Sequence, residues 1–232
     1  AGGLGTRLRP LTLITNKHLL PVYDKPMILY PLETLKRSGV NDIMIVCGRE
    51  HATHFINFLG SGKGFGVKLT YPIQDKNDGG IADALSYAED FADHGSIAVI
   101  LGDNIFENDF AGETKRFRSG SMGFFKKVKD PRRFGTPVFD KTGRRIVKIE
   151  EKPERPKSPY AHTGFYLFDH RVFDIIRTLQ PSLRGQLEIV DAVNEYIKAG
   201  EFQFAFARGF WQDAGTFDSL LVATNWFAKR KG

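Results

Sequence analysis

Apolar runs typical of strands alternate with runs of helical spacing through the first half of the chain. Residues 43–47 and 97–101 are continuous apolar runs, as expected for strands covered on both faces, and residues 68–73 predict a further strand. Residues 27–38 and 80–91 carry apolar side chains at helical spacing. This alternation predicts right-handed βαβ units and a parallel sheet.

Beyond residue 120 strands dominate the predicted pattern. Five further strands are expected at residues 122–128, 136–139, 146–150, 161–168 and 202–207, and two helices at residues 172–179 and 187–199. The sequence contains no repeat and no low-complexity linker. We therefore predict one α/β domain over residues 1–232, a three-layer α/β/α sandwich with a mostly parallel, mixed central sheet of Rossmann-like type.

Composition narrows the class of protein without identifying it. The chain has 33 basic and 27 acidic residues, a net charge of +6 and 41% hydrophobic residues, which is ordinary for a soluble globular protein. No RNP-type aromatic motif or helix-turn-helix pattern is present, so nucleic-acid binding is not expected. No apolar stretch reaches the roughly 20 residues that span a membrane. With no secretory signal visible, we expect no membrane partner and a cytoplasmic location.

The single cysteine, Cys47, excludes an intramolecular disulfide framework and any cysteine-based zinc site. It lies in the apolar run of residues 43–47, where a small buried side chain is expected.

Candidate chemistry begins at the first residues of the chain. Gly2, Gly3 and Gly5 leave backbone N–H groups uncovered, so that an anion can approach them closely. Arg7 follows with a planar fork suited to phosphate oxygens, and Lys17 adds a second cation. The pattern is neither a P-loop nor the dinucleotide fingerprint. On these residues alone it predicts a phosphate-binding loop or a flexible terminus.

Several motifs in order along the chain resemble the signature of the sugar-1-phosphate nucleotidylyltransferases, and most of all their glucose-1-phosphate thymidylyltransferase branch. They are Gly2-Gly3-Leu4-Gly5-Thr6-Arg7-Leu8, Lys17-His18-Leu19-Leu20-Pro21-Val22, Leu101-Gly102-Asp103-Asn104-Ile105-Phe106, Phe134-Gly135, Glu150-Glu151-Lys152-Pro153, Thr163-Gly164-Phe165-Tyr166 and Trp211-Gln212-Asp213-Ala214-Gly215-Thr216. The likeness to the thymidylyltransferase branch lies in the continuation Tyr23-Asp24-Lys25-Pro26-Met27-Ile28-Leu29-Tyr30-Pro31-Leu32. The resemblance implies the nucleotide-diphospho-sugar transferase fold. It also implies a homo-oligomer, since the family commonly forms dimers or tetramers.

The family has a short strand just before the glycine loop. We therefore expect the single nucleotidyltransferase domain of residues 1–232 to lack its first strand, and the physiological protein to be longer at its amino end.

The reaction that the resemblance implies is Mg²⁺-dependent transfer of a nucleotidyl group from dTTP or UTP to a hexose 1-phosphate, with glucose 1-phosphate the expected acceptor. The products are a nucleoside diphosphate sugar and pyrophosphate. Two alternatives stay open. One is a UTP-specific enzyme for glucose 1-phosphate or N-acetylglucosamine 1-phosphate. The other, from a different class, is a non-catalytic regulatory subunit that binds nucleotide sugars.

The same resemblance implies roles for individual residues. The implied catalytic residues are Arg7, Lys17 and Lys152, and the implied ligands of Mg²⁺ are Asp103 and Asp213. The implied nucleotide-binding residues are Gly2, Gly3, Gly5, Thr6, Gln74, Gly79 and Gly80. The implied sugar-phosphate-binding residues are Asn104, Gly135, Glu151, Lys152, His162 and Thr163. Asp103 also follows the apolar run of residues 97–101, at the strand end where open α/β sheets place ligands.

The sequence departs from the family pattern at three places. Phe134 stands where tyrosine is usual, and His162 stands where a smaller apolar residue is usual. We interpret His162 as part of a pocket wall rather than as a catalyst. The loop of residues 78–82 is one residue longer than usual, which leaves the identity of the base open.

Overall fold

The computed structural model describes residues 1–75 and 79–231. Their contacts divide them into two compact units. The first unit holds the described residues of 1–78, 100–115 and 209–232, and the second holds residues 79–99 and 116–208.

In the described residues the α-helices are α1 (Leu29–Arg37), α2 (Ala52–Leu59), α3 (Ile81–Ser86), α4 (Glu89–Ala92), α5 (Ala111–Arg116), α6 (Val172–Thr178), α7 (Ile189–Lys198) and α8 (Phe217–Lys231). The strands are β1 (Pro21–Val22), β2 (Lys25–Pro26), β3 (Asp42–Met44), β4 (Cys47–Gly48), β5 (Lys68–Thr70), β6 (Ile73–Gln74), β7 (Ile97–Ile100), β8 (Asn104–Phe106), β9 (Ser121–Lys127), β10 (Gly135–Phe139), β11 (Ile146–Glu151), β12 (Tyr160–Phe168), β13 (Phe202–Phe206) and β14 (Trp211–Asp213).

Parallel strand pairs form the part of the first unit that the glycine loop adjoins. β3 pairs with β5, and β4 pairs with β6, both in parallel. β3 and β4 overlap the stretch of residues 43–47 predicted as one strand, and β5 and β6 overlap the stretch of residues 68–73 predicted as another. The stretch 68–73 is divided at Pro72, which has no N–H to give to a ladder. The division is local, because the Cys47 N–H still donates to the Pro72 carbonyl at 3.1 Å.

The antiparallel pair β8–β14 carries site residues of the first unit. Its register places Trp211 opposite Phe106 and Asp213 opposite Asn104. A core cluster that includes Ile105, Ala214 and Ala223 of α8 holds this pair in place. The pairing therefore fixes where Asp213 lies relative to residues 103–106.

The second unit is built on a four-stranded sheet in the order β13-β9-β12-β7. β12 is antiparallel to β9, and β13 is parallel to it. β12 is buried over nearly its whole length. The strand predicted over residues 97–101 is found as β7, but its residues are each partly exposed rather than covered on both faces. Among the described residues, β7 stands at the end of its sheet.

The helices of the second unit follow their apolar spacing. In α7 the buried side chains include Ile189, Val193 and Tyr196, which lie one turn apart along one face. The predicted helix of residues 80–91 is two helices, α3 and α4, with a tightened turn between them, where the Ala88 N–H donates to the Leu85 carbonyl at 2.9 Å.

Candidate active site

The glycine loop of the first unit is folded against the segment that carries Lys17. Gly5 has a left-handed φ of 62°, and its carbonyl accepts a hydrogen bond from Thr12 Oγ1 at 2.9 Å. A Cβ at Gly5 would lie 2.9 Å from the Thr12 side chain and 3.1 Å from Lys17 Cβ. Thr6 begins a single 3₁₀ turn whose Leu8 side chain is fully buried. A side chain at position 5 would therefore push the loop away from Lys17.

Lys17 forms an ion pair with Asp103. Lys17 Nζ lies 2.5 Å from Asp103 Oδ2, and the two side chains are only 15% and 11% exposed. Burial alone would raise the pKa of Asp103, but the Lys17 charge and the hydrogen bonds from Lys17 and Asn104 hold it well below its usual value. Asp103 is therefore an ionised, buried carboxylate.

The other oxygen of Asp103 belongs to a separate chain of hydrogen bonds. Asn104 Nδ2 donates to Asp103 Oδ1 at 3.0 Å, and Trp211 Nε1 donates to Asn104 Oδ1 at 2.8 Å. The Ala214 N–H also donates to the Asp103 carbonyl at 2.8 Å. These bonds connect Asp103 to the strand that carries Asp213.

Charged groups of opposite sign converge at Gly215. A Cβ at this glycine would lie 2.8 Å from Asp213 Oδ1, 3.0 Å from an Arg7 guanidinium nitrogen and 3.3 Å from Asp103 Oδ2. Asp213 Oδ1 accepts a hydrogen bond from the Gly215 N–H at 2.8 Å. The pKa of Asp213 is raised, first by burial and then by the charge of Asp103. The structure thus brings together four of the predicted site residues, Arg7, Lys17, Asp103 and Asp213.

Gln74 lies beside the glycine loop in the same unit. It is the last residue of β6, is buried, and pairs with Gly48 in the neighbouring strand. A Cβ at Gly2 would overlap Gln74 Oε1. Gly3, by contrast, has open space beside it, since among the described residues a Cβ there would meet only Lys17 Cε, at 4.0 Å. The predicted base-reading amide therefore faces the predicted phosphate loop.

The second unit brings three of the predicted sugar-phosphate residues together. Gly135 pairs with Glu151 across β10 and β11, and a Cβ at Gly135 would lie 3.4 Å from Glu151 Oε2. Lys152 Nζ is 3.1 Å from Glu151 Oε1. Lys152 has a left-handed φ of 44°, and its N–H donates to the Phe134 carbonyl at 3.1 Å. A non-glycine residue in this conformation is held there by its surroundings, which is common at functional sites.

Arg184 joins this group although sequence reasoning missed it. Its guanidinium lies 3.3 Å from Glu151 Oε1 and 2.7 Å from Glu188 Oε1. In the sequence it is one arginine in the loop before α7, with no motif spacing to mark it. Only the contact with Glu151 identifies it as a candidate site residue.

His162 and Thr163 lie in β12 and are buried. Thr163 Oγ1 donates to the Phe124 carbonyl at 2.9 Å. The His162 ring stacks on Phe125 with centroids 4.6 Å apart, and neither of its ring nitrogens has a hydrogen-bond partner in the described residues. Burial lowers the pKa of His162 to about 3. His162 is therefore a neutral ring within an aromatic cluster.

Gly79 and Gly80 belong to the second unit, whereas Asp78 of the same predicted loop lies outside the described residues. The Leu187 N–H donates to the Gly79 carbonyl at 2.9 Å, and the Ala82 N–H donates to the Leu187 carbonyl at 3.1 Å. A Cβ at Gly80 would lie 2.5 Å from the Leu187 carbonyl oxygen. The two glycines are thus tied to the loop that precedes α7.

Two further features concern the described residues as a whole. They contain no group of three or more histidine, cysteine, aspartate or glutamate side chains arranged to hold a metal ion. The carboxylates at Gly215 are a pair, so they fall outside that kind of site. None of the helices in the described part of the chain has the length and apolar character needed to cross a membrane.

Known proteins resemble this chain over nearly all of its length. Glucose-1-phosphate thymidylyltransferase of Neisseria gonorrhoeae is 42% identical over 231 residues, which cover 97% of this chain and 80% of the relative. The enzyme of the same name from Mycolicibacterium smegmatis is 43% identical over 230 residues, which cover 97% of this chain and 79% of the relative.

Solved structures agree with these relatives. A Bacillus anthracis protein assigned as a glucose-1-phosphate thymidylyltransferase, crystallised with sucrose, has a TM-score of 0.91 and 47% identity, over 97% of this chain and 91% of that one. A UDP-glucose pyrophosphorylase complexed with UDP-glucose has a TM-score of 0.84 and 25% identity, over 98% of this chain and 96% of that one. These likenesses confirm the predicted Rossmann-like α/β fold.

The model of the nucleotidyl transferase family matches residues 1–230, across both units. The chain therefore belongs to the nucleotidyl transferase family, and the enzyme class that its motifs predicted is confirmed.

Proposed function

We propose that this protein transfers a nucleotidyl group from dTTP, or from UTP, to glucose 1-phosphate. The acceptor phosphate oxygen attacks the α-phosphorus, the bond to the β-phosphate oxygen breaks, and pyrophosphate leaves. The observation that carries the proposal is the convergence of Arg7, Asp103 and Asp213 on the space beside Gly215. The names of the relatives supply the substrates.

A divalent cation fits the carboxylate pair. Asp103 Oδ2 and Asp213 Oδ1 border the same space at Gly215, and the raised pKa of Asp213 reflects first its burial and then the negative charge of Asp103. Mg²⁺ takes few protein ligands, prefers carboxylate oxygens and keeps places for substrate phosphates. We propose that Asp103 and Asp213 hold Mg²⁺, which when bound supplies positive charge to the reacting phosphates.

The side chains of the first unit act by position and charge. Arg7 binds the leaving pyrophosphate with two parallel N–H bonds, and Lys17 neutralises oxygens of the α-phosphate. Gln74 reads the pyrimidine edge, since its amide both donates to a carbonyl and accepts from N3–H. Phosphoryl chemistry of this kind needs orientation and electrostatic stabilisation rather than a protein nucleophile.

The side chains of the second unit fit the acceptor. Glu151 accepts hydrogen bonds from sugar hydroxyls, while Lys152 and Arg184 supply positive charge for the phosphate of the sugar. Their mutual contacts support this assignment, because a carboxylate between two cations is held in a defined orientation. Cytoplasmic location and assembly into a homo-oligomer belong to the same proposal.

The likeness to UDP-glucose pyrophosphorylase favours one second candidate, a UTP-specific enzyme. A panel assay separates the two. Pyrophosphate release would be measured with dTTP, UTP, CTP, ATP and GTP, each paired with glucose 1-phosphate and with N-acetylglucosamine 1-phosphate. We expect the highest kcat/KM with dTTP and glucose 1-phosphate.

Turnover of UTP alone would favour the second candidate. Binding of nucleotide sugars without release of pyrophosphate from any pair would contradict both candidates and identify a non-catalytic subunit. The variant Asp213→Asn serves as the control for metal-dependent turnover.

A further inference from the structure

The two carboxylate oxygens of Asp103 have different partners. Oδ1 accepts from Asn104 Nδ2 at 3.0 Å, and Oδ2 accepts from Lys17 Nζ at 2.5 Å. Asp103 therefore has a defined orientation in which each oxygen is assigned to one neighbour.

Trp211 fixes that assignment through Asn104. An indole N–H can only donate, so the bond from Trp211 Nε1 requires that the Asn104 oxygen faces it. The amide nitrogen of Asn104 must then face Asp103, where it donates to Oδ1. Oδ1 of Asp103 is thereby held in a hydrogen bond to Asn104.

Oδ2 is the oxygen that faces the meeting point at Gly215. The Cβ position of Gly215 lies 3.3 Å from Asp103 Oδ2 and 2.8 Å from Asp213 Oδ1. A cation shared by the two carboxylates would therefore need Oδ2, which is the oxygen that Lys17 already binds.

We propose that Lys17 and a divalent cation compete for Asp103 Oδ2, so that Lys17 is an exchangeable occupant of the metal site. Lys17 leaves Oδ2 when a nucleoside triphosphate offers its α-phosphate as a new partner. The inference rests on the proposed function, because it takes the ligands to be a divalent cation and a nucleotide. Its new content is that binding of the two is coupled through one lysine.

The coupling has a definite sign. Without nucleotide, a cation at the carboxylate pair must displace the buried ammonium group of Lys17, so the protein binds the cation with low affinity. With nucleotide, the ammonium group has another anion to bind, and the affinity for the cation rises. Linkage requires that the cation increase the affinity for the nucleotide by the same factor.

Titration of the nucleotide-free full chain with Mn²⁺ tests the proposal, with free Mn²⁺ measured by electron paramagnetic resonance. We expect Lys17→Gln to bind Mn²⁺ about 5- to 150-fold more tightly than the parent protein, the range typical of coupling between sites. Asp103→Asn provides the blank for Mn²⁺ bound elsewhere.

Arg7→Gln is the matched control, because it removes the same charge from the same meeting point but leaves the Lys17–Asp103 bond in place. We expect it to change Mn²⁺ affinity much less. Equal affinity of Lys17→Gln and the parent, or an equal gain in Arg7→Gln, would overturn the proposal, because the effect would then be absent or a matter of net charge alone.

A second measurement needs no variant, in case Lys17→Gln fails to fold in thermal unfolding. Mn²⁺ affinity of the parent would be measured with and without dTMP, after correction for Mn²⁺ bound by dTMP in solution. We expect dTMP to tighten Mn²⁺ binding about fivefold or more, and an unchanged affinity would refute the exchange.

The pyrophosphate-release assay keeps the two proposals apart. Turnover without the predicted Mn²⁺ behaviour rejects the exchange alone. The predicted Mn²⁺ behaviour without turnover rejects the proposed function alone.

Discussion

Replacement of Gly215 by alanine should reduce turnover strongly and change stability little. The backbone of Gly215 is not in the left-handed region, so alanine can adopt its conformation. The new methyl group would occupy the space bordered by Asp213 Oδ1, Arg7 and Asp103 Oδ2. The substitution therefore acts on charged side-chain ends and leaves the chain itself unstrained.

The size of the effect follows from the distances. Asp213 Oδ1 would have to move by about 0.6 Å, from 2.8 Å to the 3.4 Å of an ordinary contact, and the Arg7 nitrogen by about 0.4 Å, from 3.0 Å. A misplacement of about 1 Å at a catalytic centre can cost about 100-fold in rate. We therefore expect kcat to fall about 10- to 100-fold. The free energy of unfolding should change by no more than about 1 kcal/mol, because the gain from glycine to alanine in the unfolded chain opposes the cost of displacing the two side-chain ends.

The assay is steady-state pyrophosphate release at saturating substrates over a series of Mg²⁺ concentrations, together with urea unfolding. Gly64→Ala is the matched control in the same unit, because a Cβ at Gly64 would meet no atom of the described residues within 4 Å and its φ is not left-handed. We expect the control to keep the parent kcat. A Gly215→Ala variant with the parent kcat and the parent Mg²⁺ dependence would show that the reacting groups do not meet at Gly215.

Four other substitutions test single residues. Asp213→Asn should lower kcat about 100-fold or more in pyrophosphate release, with no loss of melting temperature, since it removes a buried charge beside Asp103. For the parent, kcat/KM with dTTP or UTP should exceed kcat/KM with CTP by about tenfold or more. Gln74→Leu should make this ratio smaller. Arg184→Gln should raise the KM for glucose 1-phosphate about tenfold and leave the KM for dTTP unchanged. In the folded protein His162 stays neutral down to a pKa of about 3, whereas in the unfolded chain it binds a proton below about pH 6.5, so the parent loses stability as the pH falls. His162→Phe should make this loss smaller by on the order of 2 kcal/mol between about pH 7 and pH 4.5, measured as the free energy of unfolding in urea titrations.

Each of these substitutions has an outcome that contradicts its reasoning. Full activity of Asp213→Asn would remove this residue from the metal site, and equal use of CTP by the parent would remove Gln74 from base recognition. Arg177→Gln, which breaks an exposed ion pair with Glu89, is the control for Arg184 and should leave both KM values unchanged. An identical pH dependence for His162→Phe and the parent would mean that His162 binds a proton in the folded protein.

Most elements of the second unit could be predicted from the sequence, because long apolar runs set their bounds. The strand predicted over residues 161–168 is found as Tyr160–Phe168, and the helix over residues 172–179 as Val172–Thr178. The first unit was harder to predict. Its strands β3 to β6 are two or three residues long, and their bounds depend on pairing between distant segments rather than on local pattern.

The candidate site shows the same limit. The resemblance brought Asp103 and Asp213 into one prediction, but only the antiparallel pairing of β8 with β14 gives a physical reason for their proximity. Asn104 is an example. Its contact with the sugar phosphate stays a prediction, whereas in the structure its amide oxygen accepts a hydrogen bond from Trp211 and its amide nitrogen donates one to Asp103. A one-dimensional pattern gives residue types and order, and it cannot show which atom of a side chain already has a partner.

Several glycines of the first unit lie where other side chains approach the backbone. A Cβ at Gly2 would overlap the Gln74 amide, one at Gly5 would press on Lys17, and one at Gly215 would separate Asp213 from Arg7. A phosphate-binding centre needs cations, carboxylates and backbone N–H groups within a few ångströms of one another, and side chains on the connecting loops would keep them apart. The glycine motif at the start of the chain is therefore evidence that residues far away in the sequence approach it. For this reason the motif predicted the site better than the composition of the chain did.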